Sequence, residues 1–430
     1  MRVRWIHTAD VHLGNQQYGL AQRSKDFARA FKYVCDHAIQ SHVDFMLVAG
    51  DLFHKRNVDP LTISQAYDLL TRLKEAGIPV YCVEGNHERA YYSTGLTWLD
   101  FLSNAGLLYL LSPSHSEGVT RLEPWDDAAR AGGYVDHGPV RICGIKYYGA
   151  AAGRVLEHIS AQLAGWTERP FNIVMLHEGM EGQIPRAIGG LSSTQLELLR
   201  PHCEYLALGH IHKQYEFGEW AFNPGSLETV SAEEVDWPRG YYDVAADTDS
   251  RALVEVKRLT VPIRPFLRYS IPVETCDSPA AVERLVLSQT EQRFRRANGE
   301  RPVVNISLRG TLQFSEDALD IPGLERAVTE RFDVLIVRIK NNTAPVGYNS
   351  RAVLDEDGQI DRRALELQVL AEKIGLDARY ATNAEELAKN FQQIKNLALE
   401  DTPPSEMIEE LERALAVARA PKPAGVGVGQ

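Results

Sequence analysis

Short apolar runs, each closed by glycine or a turn residue and then by Asp, Asn or His, recur along the first half of the chain. The clearest is Phe45-Met46-Leu47-Val48-Ala49, followed by Gly50-Asp51. Five consecutive apolar residues are too few for a helix of ordinary length and mark a strand buried on both faces. Gly50 breaks the run, and a carboxylate stands where the backbone leaves the sheet. Burial there is costly unless something cationic meets it. Four other stretches repeat the pattern. Residues 3–9 lead into Asp10-Val11-His12, and residues 79–83 into Glu84-Gly85-Asn86-His87-Glu88. Residues 172–176 lead into His177-Glu178, and residues 205–208 into Gly209-His210-Ile211-His212.

Helical spacing fills the intervals. Phe27, Phe31, Val34 and Ala38 follow a Ser24 cap, and Ile63, Ala66, Leu70 and Leu73 precede Gly77, which can end the second helix. Strands alternating with helices predict an α/β layer fold with right-handed crossovers and functional residues beyond the carboxyl ends of the strands. Residues 112–138 read as loop, while 241–244 and 252–259 alternate like antiparallel strands that close the domain.

The texture changes from about residue 262. A helix over 280–296, a strand over 303–308, a short helix after Pro322 and a strand over 334–339 make a small α+β unit. Asn341 to Pro345 opens a polar linker that runs to Gly358. Helical patterns follow, one behind a Thr382-x-x-Glu385 capping box with Leu387, Phe391, Ile394 and Leu397 on one face. The other carries Met407, Ile408, Leu411 and Leu415. The expected division is a first domain over 1–259, a small capping domain over 260–342, a linker and helical segment over 343–420, and a disordered Pro/Gly-rich tail over 421–430.

Composition narrows the function classes. In 430 residues, 44% hydrophobic and 24% charged content is ordinary for a soluble globular protein. No apolar run of about 18 residues occurs, so no membrane association is expected. Five scattered cysteines without a C-x-x-C pair favour reduced thiols and a cytoplasmic setting. A formal charge of -12 weighs against nucleic acid as a partner without excluding it, since bound divalent metal or a local basic patch reverses the sign where it matters. Between Arg251 and Arg309, eleven basic residues stand against six acidic ones. Within that segment Arg293, Arg295 and Arg296 read as a solvated helix face or as a DNA contact, with even weight.

The strand-end residues Asp10, His12, Asp51, Asn86, His177, His210 and His212 mix imidazole, carboxylate and amide oxygen. That set suits manganese, iron or zinc, and suits magnesium alone poorly. Seven ligands exceed what one ion with open positions needs. Two ions sharing Asp51 and a bridging water satisfy them, which makes phosphate-ester hydrolysis the natural chemistry. His7 and His115 have no partner in the pattern and read as core or surface residues. Glu178 reads as a supporting or surface group.

Five such motifs in this order, Asp10-x-His12, Gly50-Asp51, Gly85-Asn86-His87-Glu88, His177 and Gly209-His210-x-His212, resemble the signature of the calcineurin-like metallophosphoesterases. Within them, Gly50-Asp51-Leu52-Phe53-His54 and the appended domains look most like the nuclease subunits of SbcCD-type complexes, which act in double-strand-break repair. The resemblance implies a four-layer α-β-β-α sandwich with a small α+β capping domain and a C-terminal helical segment. It also implies two Mn²⁺ ions, with Mg²⁺, Fe²⁺ or Zn²⁺ as substitutes. One would be held by Asp10, His12, Asp51 and His212, the other by Asp51, Asn86, His177 and His210. His87 would act as general acid or phosphate stabiliser, with His54 near the phosphate. The family usually continues Gly-Asn-His with Asp; Glu88 departs from that, and either carboxylate could orient His87. The implied partners are DNA ends, a coiled-coil ATPase subunit of the SbcC type, and a second copy in a homodimer.

Two other functions compete. A small-molecule or protein phosphatase of the same superfamily would share the ligands, but related Ser/Thr phosphatases carry an Arg soon after the Asp motif, where this chain has Leu52-Phe53-His54. A non-catalytic scaffold tethering DNA ends would need neither the full ligand set nor His87.

Overall fold

The computed structural model describes residues 1–90, 95–168, 170–183, 190–294, 300–344, 362–377, 379–399 and 404–419. Two compact units emerge, one of Met1–Ile271, Ala280–Leu308 and Asp320–Asn341, the other of Pro272–Pro279, Arg309–Leu319 and Asn342–Gln430.

Two six-stranded sheets build the first unit. One runs Ala252–Thr260, Gly240–Asp247, Arg2–Thr8, Phe45–Val48, Val80–Cys82, Tyr109–Leu110, and the other Tyr215–Phe217, Ala221–Asn223, Tyr205–Gly209, Phe171–His177, Val140–Ile145, Tyr134–His137. Their central strands are parallel, so the chain must cross over between them by helix. Because side chains alternate faces along a strand, each apolar run feeds two cores. Trp5, Phe45, Leu47, Ile173, Met175, Tyr205 and Ala207 fill the space between the sheets. Ile6, Met46 and Val48 face the helices Ala21–Gln40 and Pro60–Glu75. Val174, Leu176, Leu206 and Leu208 face the helix Ala152–Ala164. The result is the α-β-β-α layering that the sequence implied. Trp5 sits at its middle, stacked on Phe45 and edge-on to Tyr205 and Phe171.

Local expectations differ in four places. The first helix begins at Ala21 behind an extended Leu20 that makes no side-chain cap, and Ser24 lies buried within it. Residues 112–138 are not all loop: Ser114–Ser116 and Val119–Arg121 form a hairpin, and Tyr134–His137 is an edge strand. These strands are too short for alternation to register. Asn341 to Ala344 does not open a linker but completes the strand Ile336–Ala344, at the margin of a three-stranded sheet where polar residues are tolerated on both faces. Thr382 lies inside a short 3-10 turn, Ala381–Asn383, rather than capping the helix Ala384–Leu399. The rest of the expected linker and the tail from 421 lie outside the described residues.

The first unit also holds most of that small sheet, Phe266–Pro272, Val303–Thr311 and Ile336–Ala344, with the helices Pro279–Arg293 and Ile321–Arg331. It is tied to the two-sheet layers by Arg264 on Asp26, by Arg29 on Glu300 and by Asn305 on the Tyr18 hydroxyl at 2.7 Å. In the second unit the helices Arg362–Gly375, Ala384–Leu399 and Pro404–Arg419 pack in series. All five cysteines are buried, and none is bridged. Among the described residues, no helix is long and apolar enough to cross a membrane.

Candidate metal centre

Five loops leave the carboxyl ends of five strands, three from the first sheet and two from the second, and meet at one end of the sandwich. Adjacent loops are stitched by backbone bonds: Asp10 N to Gly50 O at 3.1 Å, His12 N to Asp51 O at 3.0 Å, and Leu13 N to Leu52 O at 2.8 Å. To turn ligating groups inward the backbone enters the left-handed region at Asp10, His12, Asp51 and His210. Non-glycine residues there cost on the order of 1–3 kcal/mol each and persist where surrounding structure over-determines them. Glycine supplies the closest approaches. A Cβ on Gly85 would lie 2.0 Å from Asp51 Oδ1, and one on Gly50 would lie 2.2 Å from His177 Nδ1.

All nine catalytic and metal-site residues expected from the sequence come together here. Asp10 is fully buried, and both its oxygens accept the His210 amide, at 3.1 and 3.0 Å. Asp51 Oδ1 accepts the His87 amide at 3.0 Å, and Oδ2 faces His177 Nε2 at 3.4 Å. His12 Nε2 meets His212 Nε2 at 2.9 Å. Asn86 Oδ1 faces His210 Nδ1 at 2.9 Å and His177 Nε2 at 3.2 Å. His54 stacks on His87 with centroids 5.2 Å apart, and both rings lie edge-on to His12.

The electrostatics are those of a site built for cations. Burial pushes the Asp10 carboxyl up. Burial would do the same to Asp51, but the facing His177 and its neighbouring imidazoles hold it far below the usual carboxylate range. His177 moves the other way: Asp51 and Asp10 outweigh its burial and draw it upward. Burial lowers His12, and like charge from His212, His87 and His54 lowers it further. Imidazole nitrogens from different loops thus converge around two buried carboxylates. Potential ligand atoms of Asp10, His12 and His212 lie within 4.8 Å of each other, as do those of Asp10, Asp51 and His177. Nitrogen and oxygen donors in this mixture fit two borderline divalent ions.

Three residues around the centre were not read from the sequence. Glu234 accepts from His212 Nδ1 at 2.9 Å, and Arg239 holds Glu234 at 3.2 Å. Glu234 ends a short 3-10 turn, Ala232–Glu234, and Arg239 follows on a loop, with no motif spacing to announce either. Tyr147 lies 5.3 Å from His210, centroid to centroid, with Arg89 over its ring. It stands just past the strand Val140–Ile145, so the rule of strand carboxyl ends could have found it.

Glu88 does not orient His87. Its carboxylate takes the Phe53 amide at 2.7 Å and the Gly85 amide at 3.1 Å, while His87 Nδ1 donates to His54 O at 2.7 Å. The longer side chain spans two loops instead of reaching an imidazole. Glu178 is a buried supporting group, accepting the Tyr148 and Gly149 amides at 3.1 and 2.5 Å. His7 is a core residue between Tyr205 OH and Leu208 O, and His115 is exposed on the hairpin.

Arg293 stands apart from the centre, bonded to Gln289 and lying over the Tyr269 ring at 5.1 Å. Arg295 and Arg296 lie outside the described residues. Much of the basic excess in that segment is internally spent: Arg251 pairs with Glu204, Arg264 with Asp26, and Arg301 with Asp333.

Residues 3–214 match the family model for the calcineurin-like phosphoesterases. The chain is 28% identical over 346 residues to the DNA double-strand break repair protein Mre11 of Archaeoglobus fulgidus, covering 79% of this chain and 74% of that one. It is 27% identical over 368 residues to the Mre11 protein of Haloferax volcanii, covering 83% and 69%. Among solved structures, a dimetal phosphatase from Danio rerio covers 60% of this chain and 99% of its own at 12% identity and TM-score 0.36, a likeness too distant to carry weight.

Proposed function

We infer that this chain, whose residues 3–214 match the calcineurin-like phosphoesterase family, is a metallophosphoesterase and a manganese-dependent nuclease hydrolysing phosphodiester bonds at DNA ends in double-strand-break repair. The observation that carries the substrate is similarity to Mre11 proteins over 79% and 83% of the chain, well beyond the catalytic domain. A phosphatase sharing only the catalytic core would not extend so far.

Asp10, His12, Asp51 and His212 would hold one Mn²⁺, and Asp51, Asn86, His177 and His210 a second. Such a pair would supply charge neutralisation of the phosphate and a water of lowered pKa for in-line attack. The protein holds both carboxylates rigid through backbone amides, so their geometry does not relax as charge develops. His87 commits Nδ1–H to His54 O, which leaves Nε2 to carry a proton to the departing oxygen as general acid. His54, half-buried and stacked on His87, borders the same space and would contact the phosphate.

The small sheet and its helices would form a capping domain that grips DNA, with Arg293, Arg295 and Arg296 on the backbone. Homodimer formation is supported by apolar surface on the helix Pro60–Glu75 and on and before the helix Trp98–Asn104, where Leu61 and Leu96 are 61% and 64% exposed and Trp98 and Phe101 are also bared. Residues 343–420 would bind a coiled-coil ATPase of the SbcC type. Exposed Ile408, Leu411 and Leu415 on one face of the last helix support that assignment.

The test is purified full chain with Mn²⁺, offered linear duplex, single-stranded circles and a chromogenic phosphodiester. Cleavage of duplex from its ends is expected. Hydrolysis of the small diester alone, with DNA untouched, would replace the nuclease by a small-molecule phosphoesterase.

A further inference from the structure

The imidazoles of the centre are braced from behind in different ways. His177 and His87 each give Nδ1–H to a neutral backbone carbonyl, Ala49 O and His54 O, both at 2.7 Å. His212 is braced by a carboxylate instead. Its Nδ1 lies 2.9 Å from Glu234 Oε1, and its Nε2 turns toward His12 Nε2 at 2.9 Å and Asp10 Oδ1 at 3.9 Å.

Glu234 is not a passing surface contact. It is 6% exposed and fixed by every neighbour it has: Ser231 Oγ on Oε1 at 3.1 Å, Val230 N on Oε2 at 3.2 Å, and Arg239 Nη1 on Oε2 at 3.2 Å. Arg239 is itself buried, with Nη2 on Glu234 O and Nη1 on Ser226 Oγ. A carboxylate locked this way cannot swing off the imidazole, so the ring behind it keeps one orientation and one tautomer.

We propose that Glu234 is a positioning residue for His212, accepting its Nδ1 proton so that the Nε2 lone pair faces the centre, and thereby sets the affinity of the one metal position that His212 serves. The other position depends on His177, His210 and Asn86, which Glu234 does not touch. The inference rests on the two-metal reading above and deepens it, because it makes the two positions chemically unequal. A group in this place typically adds about 10–100-fold to metal affinity.

Calorimetric titration of the metal-stripped full chain with Mn²⁺ tests it. Wild type should show two binding events. Glu234→Gln, which leaves Arg239 a partner, and Glu234→Ala should weaken one event by about 10–100-fold and leave the other within about twofold. Glu234→Asp should recover part of the loss. Ser231→Ala, which removes a bond to Glu234 without touching His212, should leave both events in place. Equal weakening of both events, or none in any variant, would overturn the proposal while the two-metal reading stands. A wild-type chain taking up fewer than two ions would overturn that reading, and this inference with it.

Discussion

Arg264 closes on Asp26 through two parallel bonds, Nε to Oδ2 at 2.6 Å and Nη2 to Oδ1 at 2.8 Å, across 238 residues of chain. Asp26 also takes Arg23 Nη1 at 2.9 Å, and the fully buried Arg23 reaches Gln17, Glu228 and Thr229 O with its remaining N–H groups. The strap that leads to the small sheet is thus anchored on the first helix of the catalytic layers. Removing one member of a buried pair leaves an uncompensated charge and costs about 3–5 kcal/mol. Asp26→Ala, which takes one carboxylate away from Arg264, Arg23 and Arg29, should fall within that range by denaturant unfolding. A loss below about 1 kcal/mol, the value of a surface pair, would show the network to be solvated.

The same residue predicts a pH dependence. Burial alone would raise the Asp26 carboxyl, but Arg264 and Arg23 hold it below the usual range. A depressed folded-state pKa means that its stabilisation is full above the unfolded value of about 3.9 and is lost as pH falls through the folded value. Asp26→Asn should therefore be less stable than wild type near neutrality, yet lose less on acidification from about pH 5 to about pH 3. Melting temperatures that fall in parallel for both proteins would exclude Asp26 as a source of the acid sensitivity.

Glu88 supplies a different expectation from the one its place in the motif suggested. Its two oxygens join the Asp51 loop to the Asn86 loop through the Phe53 and Gly85 amides. Glu88→Ala strands two buried donors at about 1–3 kcal/mol each. It should lower stability and weaken Mn²⁺ uptake at both positions, because Asp51 would serve both and Asn86 one of them. Glu88→Asp is too short to reach both amides and should show an intermediate loss. An alanine variant with unchanged unfolding and unchanged metal uptake would refute the staple.

The catalytic layers were legible in the sequence because their strands are buried on both faces: Phe45 to Ala49 has no reading other than a covered strand. The convergence of the candidate ligands was legible for the same reason, since a buried strand that ends in Asp or His advertises a partner. What supports those ligands was not. Glu234 and Arg239 act through loop geometry, 22 and 27 residues after His212, and nothing in local pattern ties them to it. Glu88 was placed correctly but given the wrong neighbour, because spacing reports which loop a side chain sits on and not where it turns. Charge counting also leaves out pairing at a distance: in the segment from Arg251 to Arg309, Arg251, Arg264 and Arg301 pair with acids outside it.

His87 should separate binding from chemistry. Its ring is held by His54 O, and its contacts with the carboxylates run through its backbone amide on Asp51. His87→Ala keeps that amide, so Mn²⁺ and DNA binding should persist while the rate falls by about 10²–10⁴, the usual range for a general acid. Asp51→Ala should instead abolish both metal uptake and hydrolysis, since it removes a carboxylate proposed to serve both ions. If His87→Ala loses ions on titration as Asp51→Ala does, His87 is a ligand and the acid lies elsewhere.

The C-terminal helices carry the last prediction. Within their own unit Leu387, Ala388 and Ala414 are buried, but Phe391, Ile408, Leu411 and Leu415 are bared, with exposures of 45%, 56%, 44% and 46%. On the final helix the three positions follow one another by three and four residues, so they share a face. An apolar row of this kind fits a groove or a coiled coil by helix-in-groove docking. Because these side chains already face water, charging them should not cost the fold, unlike a change at Leu387. Phe391→Glu and the double variant Ile408→Glu with Leu411→Glu should therefore leave melting temperature, Mn²⁺ uptake and hydrolysis of a chromogenic diester at wild-type levels. The same variants should lose co-purification with a coiled-coil ATPase, and with it any ATP-dependent processing of DNA ends. ATPase binding that survives both charge insertions would move the partner surface off this row and onto the first 344 residues.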